Sequence, residues 1–329
     1  MTDKHQPQGT ENRCRGNVDC GSLDYSKLST YSIHDRQSKV NIKDFSRPWK
    51  KGGSFTDFLN TLPKILAGSD LRDVIAAMAT AAKDKKPICF AMGGHVIKTG
   101  MSPLLIDLME RGVITMISMN GSGIIHDLET ALTGRTSEDV AATLGNGSFG
   151  MARETSALLN RAIASAKEKE MGLGRAVGEM IQDQKLEFRG ASLLAAGARL
   201  GIPVTVHVAL GTDIIHMHPE FDGGACGAAS HRDFKIFASQ VAGLEHGVFI
   251  NAGSAVIMPE VFLKAVTLVR NLGHTLDNFT TVNLDFIRHY RPMTNVVNRP
   301  TQGRGKGYSI VGHHEILIPL IAAGVKEAL

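Results

Sequence analysis

The chemistry-capable residues of this chain fall into a few short stretches, of which G-T-D-I-I-H-M-H-P-E-F-D-G-G is the densest. It sets Asp213, His216, His218, Glu220 and Asp222 within ten residues. A histidine titrates near neutrality and can act as a general base when a carboxylate orients it, and two histidines one residue apart can also share a metal. A His-x-His pair in a loop is also common as plain surface structure, and no metal is assigned. Two more histidines, His95 and His126, stand in glycine-containing turns: Gly93-Gly94-His95, and Asn120-Gly121-Ser122-Gly123 followed by His126-Asp127. A third turn reads Asn251-Ala252-Gly253-Ser254. Small residues let backbone N–H groups approach a ligand, and a helix that starts there favours an anion such as a pyrophosphate. Three such turns point to a ligand of nucleotide size. The plainer reading is that glycine makes tight strand-to-helix turns in any α/β protein, and N-G-S-G-I-I-H is not the G-x-G-x-x-G dinucleotide fingerprint. Further on, Asn283 and Asp285 precede F-I-R-H-Y-R-P. An acid at that place can accept hydrogen bonds from ribose hydroxyls, and Arg288, His289 and Arg291 can hold an anionic group or form a solvated basic loop.

These stretches follow short β-rich runs. The runs are Pro87 to Met92, Val113 to Met119, Pro203 to Ala209, Gly247 to Asn251 and Phe279 to Asn283, separated by segments of helical period. Continuous apolar text such as V-I-T-M-I-S-M marks a strand covered on both faces, and strand–helix alternation implies a parallel sheet. In an open parallel sheet ligands bind beyond the carboxyl ends of the strands, where the turns above fall. Ahead of the strands, Phe55, Phe58, Leu59, Leu62, Ile65 and Leu66 recur at helical spacing, and a second helix is expected from Ser69 and Asp70, which suit an N-cap. Some eighty residues between the second and third strands carry helical patterning alone, giving a helical insertion at about 135–200. The organisation expected is an N-terminal arm over 1–50, mobile to about residue 24, and one α/β nucleotide-binding domain over 51–329. The C-terminal G-R-G-K-G is a basic linker or a loop that closes over phosphates.

Composition narrows the function classes. Lys and Arg number 36 against 32 Asp and Glu, a formal +4 too small and too scattered for a nucleic-acid or membrane-surface partner. The four cysteines, Cys14, Cys20, Cys89 and Cys226, share no C-x-x-C spacing, so a reducing compartment is expected rather than a zinc ribbon or disulfide framework. The first residues lack an apolar core and no run approaches the roughly 18 apolar residues of a membrane helix, so the cytoplasm is expected. A small-molecule partner is the default.

Over about 85–290 the sequence resembles the deoxyhypusine synthase family. K-P-I-C-F-A-M-G-G-H-V-I-K-T-G looks like the family's first strand and turn, and V-I-T-M-I-S-M-N-G-S-G-I-I-H-D-L-E like its strand–T-A-G-G–E-E-D-L element. G-I-P-V-T-V-H-V-A-L-G-T-D is similar to I-P-V-F-S-P-A-L-T-D, and G-V-F-I-N-A-G-S-A-V-I-M-P-E to L-G-G-G-V-V-K-H-H. Order and spacing agree along the chain. The resemblance implies a Rossmann-like NAD-binding fold, a homotetramer, and an NAD site contributed by Gly94, His95, Asn120, Gly121, Ser122, Asp213, Gly253, Ser254, Asn283 and Asp285.

In that family NAD oxidises spermidine to an imine, and a lysine of V-V-K-H-H receives the aminobutyl group. The matching position here is Met258, which can be neither nucleophile nor base. The family's acidic residue five positions after the one matching Asp213 is here His218, and its acidic, tryptophan-containing loop has become R-H-Y-R-P-M-T-N-V-V-N-R-P. The expectation is therefore an NAD-binding transferase or oxidoreductase acting on a small polar substrate, with His218, His216, His126 and His95 as acid/base residues and Arg288, His289 and Arg291 at the substrate. Two other readings stand beside it: polyamine aminobutyl transfer, of deoxyhypusine or homospermidine type, through another lysine, and a non-catalytic nucleotide-binding oligomer.

Overall fold

The computed structural model describes residues 23–329. Residues 1–22 of the expected arm, with Cys14 and Cys20, lie outside the described residues. The described chain divides into two compact units, up to Ile42 and from Lys43 onward. In the first, Asp24 caps the single-turn helix Tyr25–Lys27 by accepting the Ser26 N–H, and every residue from 23 to 42 is exposed.

The second unit is an α/β fold of Rossmann type. Its elements are α1 (Phe55–Thr61), α2 (Leu66–Lys83), β1 (Ile88–Met92), α3 (His95–Lys98), α4 (Ser102–Glu110), β2 (Met116–Asn120), α5 (Gly121–Thr133), α6 (Val140–Thr143), α7 (Arg153–Glu168), α8 (Leu173–Asp183), α9 (Leu193–Leu200), β3 (Val204–His207), α10 (Gly223–Ala242), β4 (Val248–Ala252), α11 (Ile257–Asn271), β5 (Thr280–Asp285), α12 (Tyr290–Pro292), β6 (Lys306–Val311) and α13 (His314–Ala328). All strand pairings are parallel, in the order β3-β2-β1-β4-β5-β6. The chain winds outward from β1 in one direction and from β4 in the other, so the crevice where such sheets take ligands opens between the carboxyl ends of β1 and β4.

Strand alternation sorts the core into two layers. Ile88, Phe90 and Met92 of β1 and Val248 and Ile250 of β4 pack into the larger cluster with α2, α4, α5, α8, α9 and α13. Cys89, Ala91 and Phe249 face the smaller one, where Phe249 stacks on Phe262 of α11 at 3.7 Å and meets Phe237 of α10 edge-on. The outer side of β3 is covered by α10 rather than by a strand. Asp233 accepts the N–H groups of Val206 and Gly174, while Ser230 accepts from Val208 N–H and donates to the Val206 carbonyl. A buried edge must satisfy its backbone groups, and these two side chains do it. Among the described residues no helix is long and apolar enough to cross a membrane.

Three expectations are corrected. The first helix stops at Thr61 and the second begins at Leu66, not Ser69. Pro63 is the cause: the residue before proline avoids the helical region, and Leu62 is extended at φ −61°, ψ 150°. The sheet has a sixth strand, and Lys306–Gly307 of the supposed flexible segment belong to it. Gly307 is needed there because a Cβ would strike the Val297 carbonyl of the π-helical turn Met293–Asn298.

Candidate functional site

The turns expected to cradle a ligand sit at the carboxyl end of the sheet, and their glycines have a packing reason. A Cβ on Gly93 would meet the Gly253 carbonyl, so the β1 and β4 turns touch backbone to backbone. One on Gly94 would lie 2.7 Å from Ser122 Oγ and 2.8 Å from His126 Cδ2. One on Gly121 would overlap the Asp213 carboxylate, which therefore lies against the first residue of α5. Gly253 has φ +64° and sits on the ring of His314, a conformation and a contact that both favour glycine.

On the β2–β3 side, Asn120 caps α5 by accepting the Gly123 N–H and the Ser122 hydroxyl, so its side chain is structural. Behind it runs a directed relay. The Thr136 hydroxyl donates to Glu129 Oε2 at 2.6 Å, so its oxygen accepts from His126 Nδ1 at 2.7 Å. Glu129 also accepts from Thr155. Burial alone would raise the Glu129 carboxyl, yet the His126, Thr136 and Thr155 contacts outweigh it and hold the group below its ordinary range. With its proton fixed on Nδ1, His126 keeps Nε2 as an acceptor, and the ring lines a 190 Å³ pocket with Lys98, Ser122, Glu129, Glu138 and Asp213. Asp213 is pushed above the usual carboxylate range by burial, against the pull of His216, Thr212 and His126. An imidazole whose Nδ1 is held as a donor and a carboxyl group of raised pKa on one pocket can move a proton each way.

On the β4–β5 side the polar groups are buried and incompletely paired. Asn251 donates through Nδ2 to the Ser254 carbonyl (3.0 Å) and to Asn283 Oδ1 (2.8 Å), leaving its Oδ1 without a partner. His314, wholly buried, bonds the Leu284 carbonyl through Nε2 at 3.1 Å, so that nitrogen carries the proton and Nδ1 is a second unpartnered acceptor. Asp285 accepts the Phe286 N–H on one oxygen. Ser254 caps the start of α11 through the Met258 N–H. His95 stands between Phe286 and His314, at 5.9 and 5.6 Å ring to ring. Partial burial, and then the neighbouring His314 and Lys98, push His95 below the ordinary histidine range, opposed by Glu315 and Asp285.

The four histidines singled out in the sequence thus have separate partners. His216 Nδ1 accepts the Gly211 and Asp213 N–H groups, and its ring packs on Phe221 at 4.7 Å. His218 Nδ1 accepts the Glu220 N–H. Both rings serve the turn after β3, and among the described residues no three His, Cys, Asp or Glu side chains are placed to hold a metal. The basic loop also divides: Arg291 reaches Glu260 on α11 at 3.4 Å, the Arg288 charge acts on Asp70 of α2, and His289 is the N-cap residue of α12. Sequence reasoning missed Glu129, Thr136 and His314. Glu129 lies three residues after His126 on α5, a spacing that places both on one helix face. Thr136 and His314 left no signal, since a left-handed turn at Gly134 and the unrecognised sixth strand bring them in.

No family model matches the chain, and no curated protein sequence does. Solved structures similar to it include a LOR/SDH candidate protein from Methanococcus maripaludis, at TM-score 0.51 and 14% identity over 80% of this chain and 71% of that one. Another is AgrE, solved with ornithine and NAD+, at TM-score 0.54 and 12% identity over 79% of this chain. The chain spans 33% of the AgrE chain. A deoxyhypusine synthase candidate from Entamoeba histolytica aligns at TM-score 0.48 and 14% identity over 86% of this chain and 96% of that one. What the chain shares with the first two of these proteins is the fold.

Proposed function

We propose that this chain is an NAD-dependent enzyme acting on a small polar molecule, with His126 as general base. The Glu129–Thr136–His126 relay carries the proposal, because a threonine hydroxyl held by a carboxylate fixes Nδ1 as the donor and leaves Nε2 without a hydrogen-bond partner in a ring that lines the pocket. Three groups fit the cofactor. Asn251 Oδ1 and His314 Nδ1 are buried acceptors without partners, suited to the N–H2 of a carboxamide, and Asp285 suits ribose hydroxyls. Gly93 to His95 and Ser254 would hold the rest, rather than the start of α5, where Asp213 already lies. NAD, when bound, accepts a hydride. His126 takes the proton from the substrate group being oxidised, and the Asp213 carboxyl, its pKa raised by burial, lines the same pocket. Calorimetry of the full chain with NAD and NADP tests the cofactor, and a screen of polar alcohols, amines and amino acids, read by nicotinamide reduction, tests the reaction. Binding of neither nucleotide would sink the proposal.

One observation favours a second reading. Lys98 lines the same pocket as Glu129, Glu138 and Asp213, while Met258, at the position matching the family's lysine, is fully buried. Aminobutyl transfer from a polyamine would then run through Lys98. Borohydride reduction during incubation with NAD and spermidine would leave an adduct on Lys98 if this holds; an unmodified Lys98 would reject it.

A further inference from the structure

A second pocket, of 390 Å³, lies on the other side of the turn after β3, between α10 and α11. Its walls are Val208, Leu210, Phe234, Ile257 and Val261, and His207 stands at its inner end. A mainly apolar concavity of this size with a few polar groups in its lining is the usual form of a small-molecule site. None of its residues belongs to the relay pocket.

His207 is the last residue of β3 and is buried among apolar groups, including Phe237, whose ring meets it edge-on at 5.3 Å. Burial keeps the imidazole neutral, pushing its pKa down to about 3. Its Nε2 lies 3.0 Å from Thr205 Oγ1, which lies 2.8 Å from Ser118 Oγ on the neighbouring strand. Ser118 and Thr205 are both about 1% exposed. Their hydroxyl protons can be arranged two ways. If His207 Nε2–H donated to Thr205, Thr205 would donate to Ser118, and the Ser118 proton would have no acceptor. With Ser118 donating to Thr205 and Thr205 to Nε2, both buried hydroxyl protons have one, and the proton left over sits on Nδ1, which is not among the fully buried unpartnered atoms. A hydroxyl proton sealed in the sheet without an acceptor is the costlier of the two, so the second arrangement wins. His207 then carries its proton on Nδ1, which has no hydrogen-bond partner among the described residues. Of the other polar groups at the pocket, Ser230 is engaged with Val206 and Val208 and Glu260 with Lys264, Asn295 and Arg291, while the His231 ring stacks on Phe234.

We propose that this pocket is a second binding site, for a neutral planar molecule that places a ring nitrogen or carbonyl acceptor against the His207 Nδ1–H. The His207 donor is uncharged and the wall around it mainly apolar, which matches an acceptor atom on a neutral ligand. Quinoline and naphthalene form a matched pair of probes, equal in shape and differing in the acceptor nitrogen.

The test is titration of the full chain with each probe at pH 7.5, read by NMR of the histidine side chains. Expected are His207 as the Nδ1–H tautomer, shifts of its ring signals on adding quinoline, and quinoline bound about 2–12-fold tighter than naphthalene, the range of one net hydrogen bond. Thr205→Val removes the donor to Nε2 and should abolish the quinoline preference. Val261→Trp should fill the pocket and weaken both probes at least tenfold. An Nε2–H tautomer in the unaltered protein, equal binding of the two probes, or no binding of either would overturn the proposal. The tautomer is read without any variant, so a poorly folding substitution cannot mask the outcome.

Discussion

The two halves of the sheet's carboxyl end handle buried polar groups in opposite ways. Around β2 and β3, His216 Nε2 apart, they form closed, directed hydroxyl chains, Glu129–Thr136–His126 in one pocket and Ser118–Thr205–His207 in the other, each ending in an imidazole of defined tautomer. Around β4 and β5 the chains stop short, and Asn251 Oδ1 and His314 Nδ1 are acceptors with nothing to accept. A closed chain sets up a reactive atom before any ligand arrives, whereas an open one costs stability until a ligand or water completes it. Under the function proposed above, the first half carries the chemistry and the second the binding.

The contrast can be broken at several places. His126→Ala removes the base, and turnover of the substrate found by screening should fall about 10²–10⁴-fold with nucleotide affinity nearly unchanged. A loss of affinity instead would move His126 to the binding half. Gly93→Ala drives a methyl into the Gly253 carbonyl at the meeting of the two halves, and thermal unfolding should show a loss of about 3 kcal/mol. Asp285→Ala should weaken NAD about tenfold by calorimetry while leaving the His126 tautomer as it was, since Asp285 has no part in the relay. Thr136→Val should cost less, about a fewfold in turnover, because Nε2 remains and only its tautomer is released.

A last prediction concerns pH. Burial raises Asp233 to about 7 and Asp127 to about 6, even though both accept backbone N–H bonds. A carboxyl whose folded pKa lies above its unfolded value stabilises fully below the unfolded value of 3.8, and that contribution is lost as pH rises through the folded value. The stability difference between the unaltered chain and Asp233→Asn should therefore shrink between about pH 4 and 7. Urea unfolding across that window measures it, and a difference that grows with pH would contradict the assigned burial.

Five strands were legible because each is an apolar run closed by a turn residue, as in I-C-F-A-M before Gly93. The sixth was not, because K-G-Y-S-I-V is a half-exposed edge strand with a glycine at its second position, so neither alternation nor continuous burial marks it. For the candidate site, the turns were readable as places, and His126 and Asp213, both picked out in the sequence, line one pocket. Their partners were not readable, since Thr136 meets His126 only because the chain reverses at Gly134. The histidine pair at 216 and 218 illustrates the reverse: dense spacing in sequence, yet each ring holds a backbone N–H of its own turn.

The α10 side chains that seal β3 also bear on how copies of this chain meet one another. Asp233 and Ser230 occupy the Val206 and Val208 N–H groups and the Val206 carbonyl, the groups along the middle of that edge through which an incoming strand would dock. Sheet-to-sheet growth, the route by which exposed strand edges turn soluble proteins into fibres and gels, is thereby barred at this end. A change that freed those groups would first be seen as light scattering on storage, before any loss of secondary structure.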